Sequence, residues 1–183
     1  MKKFGVKHVV ATGIGAALFF VLGRFVAIPS GIPDTNISIQ YGALAFVAAV
    51  FGPIAGVLSG LIGHFFIDFS WGWGVWWSWV IASGFFGAVM GLVASKLKIE
   101  DGEFTGKDIL LFNVAQIIAH LLAWVVIAPV LDIVIYGEPA NKVFLQGLVS
   151  AGINIVATGI VGTLLCVAYA KARPKKGSLT EEE

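Results

Sequence analysis

Apolar residues in this chain run in blocks close to 20 residues long, broken only by short polar or turn-rich stretches. That block length constrains the fold more than any other feature. About 20 helical residues rising 1.5 Å each span the ~30 Å hydrocarbon layer of a bilayer. Composition agrees: 58% of the 183 residues are hydrophobic and only 13% are charged, more apolar side chain than a soluble domain can hide from water. The pattern predicts an all-α membrane protein.

Spans are expected over about 7–28, 37–51, 53–69, 73–95, 107–131 and 143–170, all within one domain of residues 1–174, with residues 175–183 as a polar tail. Pro29-Ser30-Gly31-Ile32-Pro33-Asp34 ends the first span with turn chemistry. Met1-Lys2-Lys3 before an apolar run mimics a signal peptide. The run is longer than a typical signal core and has no small-x-small site followed by a soluble domain, so it reads as a retained span.

Only Gly52-Pro53 separates the second block from the third, so residues 37–69 could instead form one kinked helix, leaving five spans. Charge decides. With six spans and the N-terminus inside, Lys2, Lys3, Lys7, Lys96, Lys98, Lys107, Lys171, Arg173, Lys175 and Lys176 all face the cytoplasm, against Lys142 outside and Arg24 near the outer end of its span. Five spans would put one basic terminus outside, so the positive-inside rule selects six, with both ends cytoplasmic.

Polar groups inside a membrane are costly and turn towards the bundle interior or a cavity. His64 and Asp68 are four residues apart and share a helix face. Asn113, Gln116, His120 and Trp124 form one stripe, and Gln146, Ser150, Asn154 and Thr158 another. With Asp34 and Asn36 in the loop after the first span and Gln40 opening the second, most of these groups lie in the outer half, which fits a cavity open outward and closed below. The stripes serve either that cavity or hydrogen bonds between helices, worth ~0.6 kcal/mol each on average. His64 and Asp68 could equally be an interhelical pair.

Five of the six tryptophans fall within residues 71–79, beside Phe65, Phe66 and Phe69. An interfacial aromatic belt accounts for part of this, but crowding on one edge also suits a flat heteroaromatic ligand stacked between rings, with Trp73, Trp76 and Trp77 as candidates. Small residues four apart, such as Ala11/Gly15, Thr12/Ala16 and Gly13/Ala17 in the first span and Gly56/Gly60, Gly84/Ala88 and Gly87/Gly91 further on, permit close helix approach. In the first span they cover most of the inner half, enough for a face offered to a second membrane protein.

Several chemistries lack their parts. Gly102-Glu103-Phe104-Thr105-Gly106-Lys107-Asp108 is one residue too short for a P-loop and has Asp where Ser or Thr should bind magnesium, so it reads as a turn before the fifth span. No HExxH, Cys/His cluster or Gly-x-Ser-x-Gly occurs. The lone Cys166 reads as a packing residue. Neither an enzyme nor a metal or other cofactor is expected, nor a nucleic-acid partner. Transport would need energy from an ion gradient or from partner subunits.

Three segments carry a family resemblance: Ala11-Thr-Gly-Ile-Gly15-Ala-Ala17, the loop Pro29 to Gln40, and Phe51-Gly-Pro-Ile-Ala-Gly-Val-Leu-Ser-Gly-Leu-Ile-Gly-His64. With them the chain resembles, over residues 4–171, the S components of energy-coupling factor (ECF) transporters. Phe65-Phe-Ile-Asp68-Phe-Ser-Trp-Gly-Trp73 is similar to the branch linked to hydroxymethylpyrimidine or vitamin B6 compounds. The resemblance implies a plasma-membrane subunit of a prokaryotic type that binds a vitamin-sized ligand and delivers it through a transmembrane coupling subunit driven by two cytoplasmic ATPases. It implies docking through the first span, here Ala11, Thr12, Gly15 and Ala16, and a lid in the first loop, here Pro29, Gly31, Pro33 and Asp34. The expected ligand-binding set is Asn36, Gln40, His64, Asp68, Trp73, Trp77, His120, Trp124 and Asn154. A self-sufficient proton-coupled carrier of a small aromatic solute, with His64/Asp68 or His120 as relay, is the alternative.

Overall fold

The computed structural model describes residues 5–31, 36–72 and 74–173. Among the described residues, six helical rods make up the bundle. Helix α1 covers Val6–Phe25, α2 Gln40–Phe51, α3 Pro53–Trp71, α4 Trp77–Val93, α5 Gly106–Leu121, α6 Ala128–Tyr136 and α7 Ala140–Ala172. Helices α5 and α6 are one continuous rod, joined by a π-helical turn over Leu122–Ile127, so they make a single traverse. Five of the traverses are long and apolar enough to cross a membrane. The sixth, α2, has 12 residues, or ~18 Å of helix.

Gly52-Pro53 breaks the chain into two helices. Gly52 sits at φ 89°, a conformation that side chains disfavour, and Pro53 opens α3 where its missing N–H costs nothing. Helix α2 is packed against α1, α3, α4 and α7 and is buried on nearly every side. Its small residues (Gly42, Ala43, Ala45, Ala48 and Ala49) let four neighbours close around it.

Glycine permits a close crossing between α3 and α4. A Cβ on Gly56 would lie 2.4 Å from the Gly87 carbonyl oxygen, and a Cβ on Gly87 would lie 2.2 Å from that of Gly56. Only a residue without Cβ permits this reciprocal contact.

Both described termini lie at one end of the bundle. Lys7 pairs with Glu100, and Arg173 Nε donates to the Glu100 carbonyl at 3.4 Å. Before α5, Thr105 caps the helix through Asp108, whose Oδ2 accepts from the Thr105 amide at 2.8 Å and its hydroxyl at 2.7 Å. The segment read as a turn is therefore a helix entrance. At the opposite end, Ile28–Pro29 and Asn36–Ile37 pair as a two-stranded antiparallel ribbon leading into α2, where the sequence suggested that the second span begins.

The expected docking residues Ala11, Thr12, Gly15 and Ala16 are buried against the rest of the bundle. Ser59 Oγ on α3 donates to the Thr12 carbonyl at 3.1 Å, and a Cβ on Gly15 would lie 2.6 Å from Ser59 Oγ. Small residues occupy both phases of α1, and the interior takes this one. Gly13 and Ala17, together with Val10, Ile14 and Val21, form the outward face.

Candidate binding cavity

Two adjoining cavities open in the half of the bundle away from the termini. The larger, about 280 Å³, lies among α3, α4, α6 and the start of α7; the smaller, about 110 Å³, lies deeper, against α1, α2 and α7. Both are lined by His64, Asp68 and Trp79.

The shared wall is hydrogen-bonded throughout. His64 Nδ1 lies 2.6 Å from Ser83 Oγ, which lies 2.8 Å from the Tyr41 hydroxyl. Asp68 Oδ2 accepts from the Trp76 amide at 2.9 Å, while its Oδ1 is 3.6 Å from His64 Nε2. One turn of α3 thus presents an imidazole and a carboxylate, side by side, to both chambers.

A second carboxylate organises the larger chamber. Asp132, on α6, is 1% exposed. It accepts from Trp76 Nε1 at 2.6 Å, from Trp79 Nε1 at 2.8 Å, and from Ser78 Oγ. Trp76 also stacks on Tyr136 with ring centroids 4.3 Å apart, and Trp79 on Trp124 at 5.2 Å. Glu138 and Lys142 pair at 2.9 Å on the same chamber's wall. Asp132 was not anticipated from sequence. The signal that could have found it is the ionisable residue itself, set in Val-Leu-Asp-Ile-Val at the end of an apolar block.

The deeper chamber is lined by Asn36 on the ribbon, Ser38 and Gln40 at the entrance to α2, Trp124 on the π-helical turn, and Ser150 and Asn154 on α7. Ser38 Oγ and Gln40 Oε1 are buried and, among the described residues, have no hydrogen-bond partner. Gln116 Oε1, away from both cavities, is the third such atom; the two on the cavity wall are free to bond to a group that enters the chamber.

The structure brings together six of the nine expected ligand-binding residues on these walls: Asn36, Gln40, His64, Asp68, Trp124 and Asn154. Trp73 lies outside the described residues. Trp77 is 51% exposed and packs its ring against Phe65 on the periphery; the indoles that line the larger chamber are Trp76 and Trp79. His120 stands behind the wall. Its Nδ1 accepts from Trp124 Nε1 at 2.9 Å, which leaves Nε2 to carry the proton towards Thr158 Oγ1 at 3.0 Å. Below it, Asn113 Nδ2 donates to Thr163 Oγ1 at 3.0 Å and Gln116 Nε2 to the Ile155 carbonyl at 3.2 Å. The lower halves of the two polar stripes therefore tie α5 to α7, and the upper half of the α7 stripe lines the cavities. Arg24 is held by Trp71, with its guanidinium 3.9 Å from the ring centre, and by Ser70. In the expected lid, Pro29 lies in the ribbon and Gly31 has φ 87°, while Pro33 and Asp34 lie outside the described residues.

Comparison with known proteins adds three findings. The profile of a family described as "ECF-type riboflavin transporter, S component" matches residues 3–171. Two UPF0397 proteins of Staphylococcus aureus, SAS2570 of strain MSSA476 and SAR2767 of strain MRSA252, are each 53% identical to the chain over the full length of both partners. Among solved structures, the S component for biotin from an ECF-type ABC transporter superposes with a TM-score of 0.64, covering 88% of this chain and 89% of that one at 16% identity. That last likeness concerns the fold.

Proposed function

The chain belongs to the family of ECF-type riboflavin transporter S components, the substrate-binding membrane subunits of ECF transporters, and from that premise we propose that it captures a small, single-ring heteroaromatic vitamin or precursor of the hydroxymethylpyrimidine or pyridoxine kind. The observation that carries this reading is the size and lining of the cavity pair. At about 280 and 110 Å³, the chambers fall at or below the low end of the roughly 300–1,000 Å³ typical of pockets for drug-sized ligands.

Indole walls suit a flat ring. His64, Asp68, Ser38 Oγ, Gln40 Oε1 and Asn154 supply donors and acceptors for ring nitrogens and for amino or hydroxymethyl substituents. A three-ring flavin needs considerably more room along its long axis. His120 contributes by fixing the Trp124 ring.

In the membrane the end bearing Lys7, Lys98 and Arg173 faces the cytoplasm, as the positive-inside rule requires. Helix α2 counts as the sixth span, its extended approach through Asn36–Ser38 making up for its short helix. The Ile28–Pro29/Asn36–Ile37 ribbon, which brings Asn36 to the deeper chamber, forms the lid. Because the inward phase of α1 is occupied, the Gly13/Ala17 face docks on the transmembrane coupling subunit, which the two ATPases drive.

Native mass spectrometry and titration calorimetry on the detergent-purified protein test the ligand class. Binding of pyridoxine or 4-amino-5-hydroxymethyl-2-methylpyrimidine, with riboflavin at least about tenfold weaker (~1.4 kcal/mol), supports the reading. Preference for riboflavin, or indifference to both small rings, overturns it.

A further inference from the structure

The Asp132 carboxylate has no partner of opposite charge among the described residues and receives three hydrogen bonds from residues 76–79, at the entrance to α4. Two of the donors are the indole N–H groups of Trp76 and Trp79, both lining the larger chamber. The main chain of Trp76 is held separately by Asp68 Oδ2 at 2.9 Å, so this residue is fixed by one carboxylate through its backbone and by another through its ring.

An indole N–H can only donate, and a buried carboxylate can accept at both oxygens. Here Oδ1 takes Trp76 and Ser78, and Oδ2 takes Trp79. Each indole has its other fixed contact on an aromatic partner, Tyr136 for Trp76 and Trp124 for Trp79. Stacking restrains the ring plane but leaves it free to slide; the hydrogen bond to a fixed oxygen removes that freedom.

We propose that Asp132 is a positioning residue for ligand capture, a two-pronged acceptor that fixes the rings of Trp76 and Trp79 as walls of the cavity and so sets the width of the slot offered to the ligand ring. The proposal rests on the reading of the cavity as the capture site. Asp132 acts through the two indoles, and it couples α6 to the entrance of α4 across the chamber.

The test combines indole-nitrogen-labelled protein in micelles with calorimetric titration of pyridoxine and of 4-amino-5-hydroxymethyl-2-methylpyrimidine. Asp132→Asn preserves volume but offers one acceptor oxygen in place of two, so one indole loses its partner. The expected result is displacement of the Trp76 and Trp79 indole signals with those of Trp71 and Trp77 in place, and affinity lower by about tenfold or more, the scale of one buried hydrogen bond to a charged group. Ser78→Ala removes the third donor without touching either wall and should stay within about twofold of the parent.

Asp132→Glu keeps the charge and moves the carboxylate out by one methylene. It should also weaken binding, and it replaces D132N should that variant not fold. The proposal is overturned if D132N or D132E binds within about twofold of the parent, or if the Trp76 and Trp79 signals do not move. If the parent protein binds neither probe, the ligand reading fails on its own. The indole signals then decide the role of Asp132: selective displacement supports it, and unmoved signals end it.

Discussion

Ser38 carries a buried hydroxyl with no partner among the described residues, so removing it takes nothing from the empty protein. Ser38→Ala should therefore leave thermal unfolding within about 0.5 kcal/mol of the parent while lowering ligand affinity about fivefold or more, the loss of one net hydrogen bond. Parallel unfolding and calorimetry check both halves, and a destabilised empty protein would show that Ser38 holds the fold. His120 should behave in the opposite way. His120→Leu strands the Trp124 indole N–H in the interior and should cost about 1–3 kcal/mol of stability, read by thermal unfolding without ligand. At this scale the sequence was half legible. His64 and Asp68 stood out because charged groups in a span need a reason, whereas Asp132 falls just past the expected end of the fifth span. The choice between Trp76 and Trp77 could not be read because residues 74–76 are not helical, which breaks the phase that would have said which ring turns inward.

Among the elements, the α3–α4 pair holds a close approach through two glycines that press on each other's carbonyls. Gly56→Ala and Gly87→Ala should each destabilise by about 1–3 kcal/mol through overpacking. The double variant should cost less than the sum, since both remove one contact; unfolding in graded denaturing detergent measures all three. Gly13→Ala is the control, with no atom within 4 Å of an added Cβ. The π-helical turn gives a comparable constraint. The Ala128 amide donates to the Ala123 carbonyl and Pro129 has no N–H, so the Trp124 carbonyl lacks its usual donors. It comes to within 2.0 Å of where a Cβ on Gly147 would stand, so that position needs glycine. The helices themselves were readable because apolar block length fixes them directly. The π turn was not, because its cause is a single Pro129 within a strongly apolar run.

For the whole molecule, the separation between the half that holds the cavities and the basic half should make ligand capture and coupling independently breakable. Ala17→Trp, on the outward face of α1, should leave pyridoxine affinity unchanged within about twofold yet abolish uptake in cells that supply the coupling subunit and ATPases. Calorimetry and transport assays on the same variant check this, and loss of both would mean that the face shapes the fold. Which phase of α1 turns inward was not legible because small residues stand at Ala11, Thr12, Gly13, Gly15, Ala16 and Ala17 alike. Nothing in the composition says which side the neighbouring helix takes; Ser59 and Val47, far along the chain, decide it.

Trp79 and Trp124 stack at 5.2 Å with their planes 28° apart, close enough for their ultraviolet transitions to couple and give a paired near-ultraviolet dichroism band. Both rings line the deeper chamber. A guest entering there would alter the splitting of that band, so the protein carries its own optical gauge of occupancy, readable in detergent without any attached dye.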